Sequence, residues 1–127
     1  MIVDTSALVA VMLAEPEAQR FRRVLEQEST AISAATVVES EIVVRSRKGA
    51  AGLNELRQAL QTTEIVAVDE HQALIASDAY ERYGRGSGSP AKLNYGDCFS
   101  YALAIARDEP LLFKGDDFIH TDVRVGA

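Results

Sequence analysis

Apolar residues come along this chain in two rhythms. Four short runs, 1–4 (MIVD), 30–33 (TAIS), 65–68 (IVAV) and 110–113 (PLLF), are mostly apolar and show no strict alternation. Such runs are what strands covered on both faces look like. Between them, apolar residues recur at spacings of three and four, predicting helices over 6–12, 15–28, 34–48, 53–60, 70–83 and 94–107. Short strands separated by helices predict an α/β fold, a sandwich with a central parallel sheet and helices on both faces. No internal repeat or low-complexity tract interrupts the pattern.

One stretch stands outside both rhythms, GRGSGSP at 84–90, rich in turn formers. It is too short to divide domains, so residues 1–127 are read as a single domain. With Arg82, Arg85 and Lys92 around it, it could form a mobile rim to a site. A plain surface loop is the simpler reading.

Composition narrows the classes. A hydrophobic content of 47% with 25% charged residues is globular. The longest uncharged runs, such as 5–14, fall far short of the ~20 apolar residues of a membrane span. The opening MIVDTSALV has no basic segment before its apolar stretch and does not read as a secretory signal. A single cysteine, Cys98, permits neither an internal disulfide nor a multi-thiolate zinc site, so a reducing cytoplasm is the expected location. The net charge of -6 speaks at first against a nucleic-acid partner. A total, however, does not say where the acids are.

Their placement is informative. In open parallel sheets, ligands bind beyond the carboxyl ends of the strands. Asp4 closes the first strand, Ser33 closes the second and leads into the helix carrying Glu39, and Asp116 and Asp117 follow the last (LLFKGDD). Asp97 enters from NYGDCFSYALA, in the first turn of a helix that is apolar nearly all round apart from Ser100 and the Tyr101 hydroxyl. Each acid has an ordinary reading as well. Asp97 could complement the helix dipole, Asp4 could cap the next helix, and Asp116-Asp117 could be turn residues. Asp69, with Gln72 three residues on, resembles a capping box and is left out of the site.

Glu39 fits an ordinary reading least. Its helical neighbours Ala35 and Val43, with Val38 and Ile42 on the adjoining stripe, place its carboxylate on an apolar face. An acid there is costly unless paired. Glu41 stands four residues before Arg45, the favourable order for a surface ion pair.

Carboxylates gathered at one sheet edge repel by about 4 kcal/mol per close pair at an effective dielectric near 20. A divalent cation relieves this. With oxygen donors only, and His71 and His120 the sole histidines, the set suits Mg²⁺ or Mn²⁺ rather than zinc. Carboxylate-held Mg²⁺ commonly acts on phosphate groups, which favours phosphodiester hydrolysis.

Together, MIVDTSALVAVMLAEPEAQRF, ISAATVVESEIVVRSR, NYGDCFSYALA and LLFKGDDFIHTD resemble a PIN-domain ribonuclease of the VapC toxin type, over essentially the whole chain. The resemblance implies a PIN-like α/β/α sandwich and an Mg²⁺-dependent endoribonuclease, with Asp4, Glu39, Asp97 and one of Asp116 and Asp117 as the acidic pocket. Many PIN domains carry the last acid two residues earlier, where this chain has Gly115, so the duty passes to Asp117, with Asp116 accessory. Thr5 and Ser6 either hydrogen-bond a carboxylate or a metal-bound water, or cap the helix. The resemblance further implies a homodimer restrained by a VapB-type antitoxin. It also reconciles the charge with an RNA substrate, since acids that hold metal meet phosphate through it.

Two other classes share some features. A receiver-like phosphoacceptor module would need a further aspartate at a central strand end and a lysine for which only Lys114 is available. A catalytically silent PIN-like module would bind RNA or a protein without cutting.

Overall fold

The computed structural model describes residues 1–127. Four strands, β1 (Ile2–Val3), β2 (Thr30–Ser33), β3 (Thr63–Val66) and β4 (Leu111–Leu112), form one sheet in the order β3-β2-β1-β4, all parallel. The helices are α1 (Thr5–Met12), α2 (Ala18–Gln27), α3 (Ala34–Ala59), α4 (Glu70–Tyr83) and α5 (Tyr95–Arg107). Short 3₁₀ turns follow at Leu60–Thr62 and Phe118–His120.

Successive strand residues point to opposite faces of a sheet. The apolar pairs at the strand centres therefore divide between two cores. Ile2, Ala31 and Leu111 pack with α4 and α5 residues such as Ala79, Tyr101 and Leu103. Val3, Ile32 and Leu112 pack with Leu8, Phe21, Val44 and Leu56 from α1, α2 and α3. This is the predicted α/β sandwich with a central parallel sheet, and it explains the unalternated runs: neither face of β1, β2 or β4 reaches water.

β3 departs from expectation. It begins at Thr63 rather than Ile65 and ends at Val66, because it pairs from Thr30↔Thr63 onward and the two threonine hydroxyls share a buried 2.8 Å hydrogen bond. As the edge strand it is half uncovered: Ile65 is exposed and Glu64 takes a bidentate pair from Arg107 at 2.7 Å. After it, Asp69 accepts from the Gln72 amide at 2.8 Å as the cap of α4.

The two helices expected over 34–48 and 53–60 are the arms of one folded element. Gly49 sits in the left-handed region at φ 63°, a conformation open to glycine without strain. Glu41 and Arg57 would stand about 24 Å apart along a straight helix. Here they form a bidentate pair at 2.9 and 3.0 Å, so the arms fold back on one another. The expected partner of Glu41, Arg45, is only a distant second at 3.8 Å, and the main pair joins the two arms.

The sheet order places the functional edge. From β1 the chain moves outward through β2 to β3, then returns to lay β4 on the other side of β1. The crevice between the carboxyl ends of β1 and β4 is thus a topological switch point. Asp4 lies on one side of it and the 114–117 segment on the other.

Candidate active site

Asp4 is almost wholly buried, 3% exposed, and both of its oxygens are occupied. Oδ2 accepts from the Ser6 amide at 3.0 Å and the Ser6 hydroxyl at 2.7 Å, and Oδ1 accepts from the Ser100 hydroxyl at 2.6 Å. Ser6 Oγ in turn accepts from the Lys114 amide at 2.9 Å, which ties the end of β4 to the end of β1. Asp4 therefore caps α1 and also stands in the crevice.

Glu39 reaches the same edge from α3. Thr5 Oγ1 donates to its Oε1, and Ser40 Oγ donates to Thr5 Oγ1 at 3.1 Å. The other oxygen, Oε2, lies against Gly96 so closely that a Cβ there would collide with the carboxylate. Burial raises the Glu39 pKa, the Thr5 hydrogen bond opposes this, and the Asp4 charge adds to it.

Asp97 opens α5 in a reciprocal cap: its Oδ2 accepts from the Asn94 amide at 2.9 Å, and Asn94 Oδ1 accepts from the Asp97 amide at 2.8 Å. The ordinary reading of this acid is thus realised in full. Its carboxyl is nonetheless pushed up to about 7, first by burial and then, against the Asn94 hydrogen bond, by the charges of Asp4, Glu39 and Asp117. Four acids from four separate parts of the chain act on one another at this edge. Of the adjacent pair after β4, Asp117 is the one whose charge acts on Asp97; both side chains are exposed. None of the four is in an ion pair.

The apolar stripe of α3 that adjoins Glu39 in the sequence is not the covered one. Val38 and Ile42 are 60% and 59% exposed, whereas the buried stripe runs through Thr36, Ser40 and Val44. Its hydroxyls are used inside: Thr36 Oγ1 shares a 3.1 Å hydrogen bond with Ser100 Oγ, which holds Asp4, and Ser40 holds Thr5, which holds Glu39. Each of these two acids stands at the end of a short hydroxyl chain. Ser40, Thr36, Ser100 and Gly96 are contributors that sequence reading missed. The signals were a polar pair spaced i, i+4 and a lone serine in an apolar helix. Cys98 plays no such part, being buried with its thiol pushed up to about 11.

The donors available to a cation are all oxygen. No three acidic, histidine or cysteine side chains converge as a ready-made set of ligands. An ion at this edge would therefore be held by one or two carboxylates and keep several of its waters.

The PIN domain family profile matches residues 1–124. Ribonuclease VapC30 of Mycobacterium tuberculosis is 46% identical over 130 residues, covering 100% of this chain and 98% of its own. The VapC ribonuclease Mb2780c of Mycobacterium bovis is 46% identical over 128 residues, covering 98% of this chain and 97% of its own. The chain belongs to the PIN-domain family of VapC ribonucleases. Among solved structures, this PIN domain resembles Mycobacterium tuberculosis VapC20, described as a Sarcin-Ricin loop cleaving toxin, with a TM-score of 0.78 at 14% identity over 96% of this chain and 95% of that one. It also resembles a chain of VapBC2 from Rickettsia felis bound to a promoter DNA fragment, with a TM-score of 0.76 at 15% identity over 98% and 94%. At these identities the likeness is one of fold, and it matches the α/β sandwich and parallel sheet described above. No helix is long and apolar enough to cross a membrane.

Proposed function

We propose that this PIN domain is a metal-dependent endoribonuclease, the toxin of a toxin-antitoxin pair, hydrolysing RNA phosphodiester bonds at the acidic crevice between β1 and β4. The observation that carries the reading is that the charges of Asp4, Glu39 and Asp117 all act on the half-buried Asp97, with no protein cation paired to any of the four. A fold that leaves such repulsion uncompensated is suited to a divalent ion. Asp4 and Asp97 would hold Mg²⁺, or Mn²⁺ in its place, with Glu39 and Asp117 reaching it through water and Asp116 accessory. When bound, the ion supplies positive charge for the phosphate oxygens and a lowered pKa for the attacking water.

The chain's own residues orient and move protons. Ser6 and Ser100 fix both oxygens of Asp4, and Thr5 fixes one oxygen of Glu39. Glu39 Oε2, left without a protein donor, is the atom placed to take a proton from the attacking water, and its raised pKa makes it a better base than a solvated glutamate.

Purified protein free of any partner is expected to cut single-stranded or loop RNA with Mg²⁺ or Mn²⁺ and to stop in EDTA. Undiminished cleavage in EDTA rules out the metal, and binding without product under either ion marks a silent module instead.

Gly96 gives a second test. Gly96→Ala adds a methyl in the first turn of α5, where alanine is no worse a helix residue than glycine. The new methyl displaces the Glu39 carboxylate, however, and a shift of this size can lower the rate by about 10²-fold. The expected variant melts no lower than wild type while its kcat collapses; equal activity would remove Glu39 from the site.

Partners follow from the same surfaces. The exposed apolar row of Val38, Ile42 and Tyr95, the last 77% exposed, lines a groove of about 260 Å³ with Phe99 and is the proposed face of a homodimer. A VapB-type antitoxin is the proposed inhibitor, placing an Arg or Lys beside the acids. A chain of a Klebsiella pneumoniae toxin-antitoxin complex shares the fold, with a TM-score of 0.73 over 98% of this chain, and supports such an assembly.

A further inference from the structure

A cavity of about 610 Å³ lies beside the acids and meets them through Asp117. Its walls are Arg85, Lys92 and the glycine-serine-proline loop between them, with Asp117 opposite and no aromatic or large aliphatic side chain. Expected as a mobile rim or a plain surface loop, this segment is internally braced. The Arg85 amide donates to Leu93 O at 3.0 Å, the Leu93 amide to Tyr83 O at 2.9 Å, and Ser87 Oγ to Gly84 O at 2.6 Å. Ala91 and Leu93 are fully buried on either side of Lys92, which is held outward at φ 49° in the left-handed region. Backbone strain of that kind persists only where the surroundings enforce it.

The two cations are also unspent. Lys114, the other base near the crevice, is neutralised by Glu15 and Glu17, and Arg57 and Arg107 are held by Glu41 and Glu64. Arg85 and Lys92 make no ion pair in a chain with 19 acids and a net charge of -6. A cavity with two free cations and no aromatic wall has no ring on which to stack a base. What it offers is charge and hydrogen bonds for an anion. Asp117 on the shared wall repels that anion toward the loop side, away from the acid cluster.

We propose that Arg85 and Lys92 form a phosphate subsite that holds the RNA backbone next to the bond being cut; this rests on the ribonuclease reading above. Contacts of this kind position a strand without reading its sequence. The pair therefore sets affinity and register, and leaves base preference to other residues.

The test uses the full chain and a fluorescently labelled single-stranded RNA. Binding is followed by anisotropy over a range of salt with Ca²⁺ in place of Mg²⁺, and cleavage is followed separately with Mg²⁺. Arg85→Ala and Lys92→Ala are each expected to weaken binding about 10-fold and to reduce the slope of log affinity against log salt by about 0.7. In cleavage, KM rises while kcat and the cut positions stay unchanged. Arg85→Lys restores most of the affinity, and Lys92→Gly, which suits the left-handed backbone, reproduces the loss. Arg23→Ala, which removes an exposed and unpaired cation on α2, changes nothing. A double variant with wild-type affinity and salt slope overturns the subsite, as does altered cut-site choice without loss of affinity, or a wild-type protein that binds no RNA. If wild type binds with the expected slopes but never cuts, the subsite stands and the ribonuclease reading falls.

Discussion

Asp97→Asn is expected to give a folded protein that no longer cuts RNA and that, in EDTA at pH 8, melts above wild type. The loss of activity follows from removing one of the two carboxylates proposed to hold the ion, and should amount to about 10²–10³-fold or more. The gain in stability follows from the acid's environment. Its pKa, raised from 3.8 to about 7 by burial and by Asp4, Glu39 and Asp117, means that the folded state favours the protonated form. Between these two values the folded protein binds more protons than the unfolded chain, so metal-free stability falls as pH rises from about 4 to about 7 and then levels off. Asparagine carries no such penalty, and its carbonyl can still accept from the Asn94 amide. The two proteins should therefore melt alike near pH 4, with the variant ahead at pH 8, and Mg²⁺ should raise the melting temperature of wild type more than that of the variant. Thermal melts across pH, with EDTA and with Mg²⁺, measure all of this. A variant that melts well below wild type at pH 8 would make Asp97 a structural cap and nothing more.

How far the sequence exposed this arrangement depends on what each segment does with its faces. Strands β1, β2 and β4 were legible because both sides are covered, so Ile2-Val3, Ala31-Ile32 and Leu111-Leu112 had to be apolar without alternation. β3 misled because it is an edge. Its apolar run extends past the last pairing residue, Val66, while its true start is a pair of threonines. The hairpin of α3 was half legible: its two helical stretches were visible, but nothing local announces that Gly49 turns them into antiparallel arms or that Arg57 displaces Arg45 beside Glu41.

The acids were legible as a set because a parallel sheet brings strand ends together, whatever the intervening sequence. Their supports were not. Thr36, Ser40 and Ser100 look like solvent residues until their partners, which lie 35 to 96 positions away in the chain, are known. Periodicity weighs apolar residues alone. It therefore singles out the apolar stripe of Val38 and Ile42, which are exposed, and passes over the stripe that buries hydroxyls. Gly96 was hidden for a similar reason, since its role is to leave room for a carboxylate from another helix.

Glu39 and Glu41, two positions apart on α3, provide the sharpest contrast within one element. Glu39→Gln is expected to lower the cleavage rate by about 10²-fold or more, because the amide can neither accept a proton from water nor offer charge to the ion. Thr5 can still donate to the amide oxygen, so the fold is kept. The neutral side chain also relieves Asp4 and Asp97 of one repulsive neighbour, and without metal the variant should be no less stable than wild type. Glu41→Gln should behave in the opposite way. Its carboxylate, held below its ordinary pKa chiefly by the Arg57 hydrogen bonds, is engaged in bracing the two arms of α3. Losing an ion pair on a largely solvated surface has a small effect, so a slightly lower melting temperature with wild-type cleavage is expected. Because the folded-state pKa is depressed, that contribution is present above the unfolded value of 4.5 and fades as pH falls, so the two proteins should converge in acid. Initial rates and melting curves of the two single variants at equal concentration separate the roles, and a silent Glu41→Gln beside an active Glu39→Gln would reverse them.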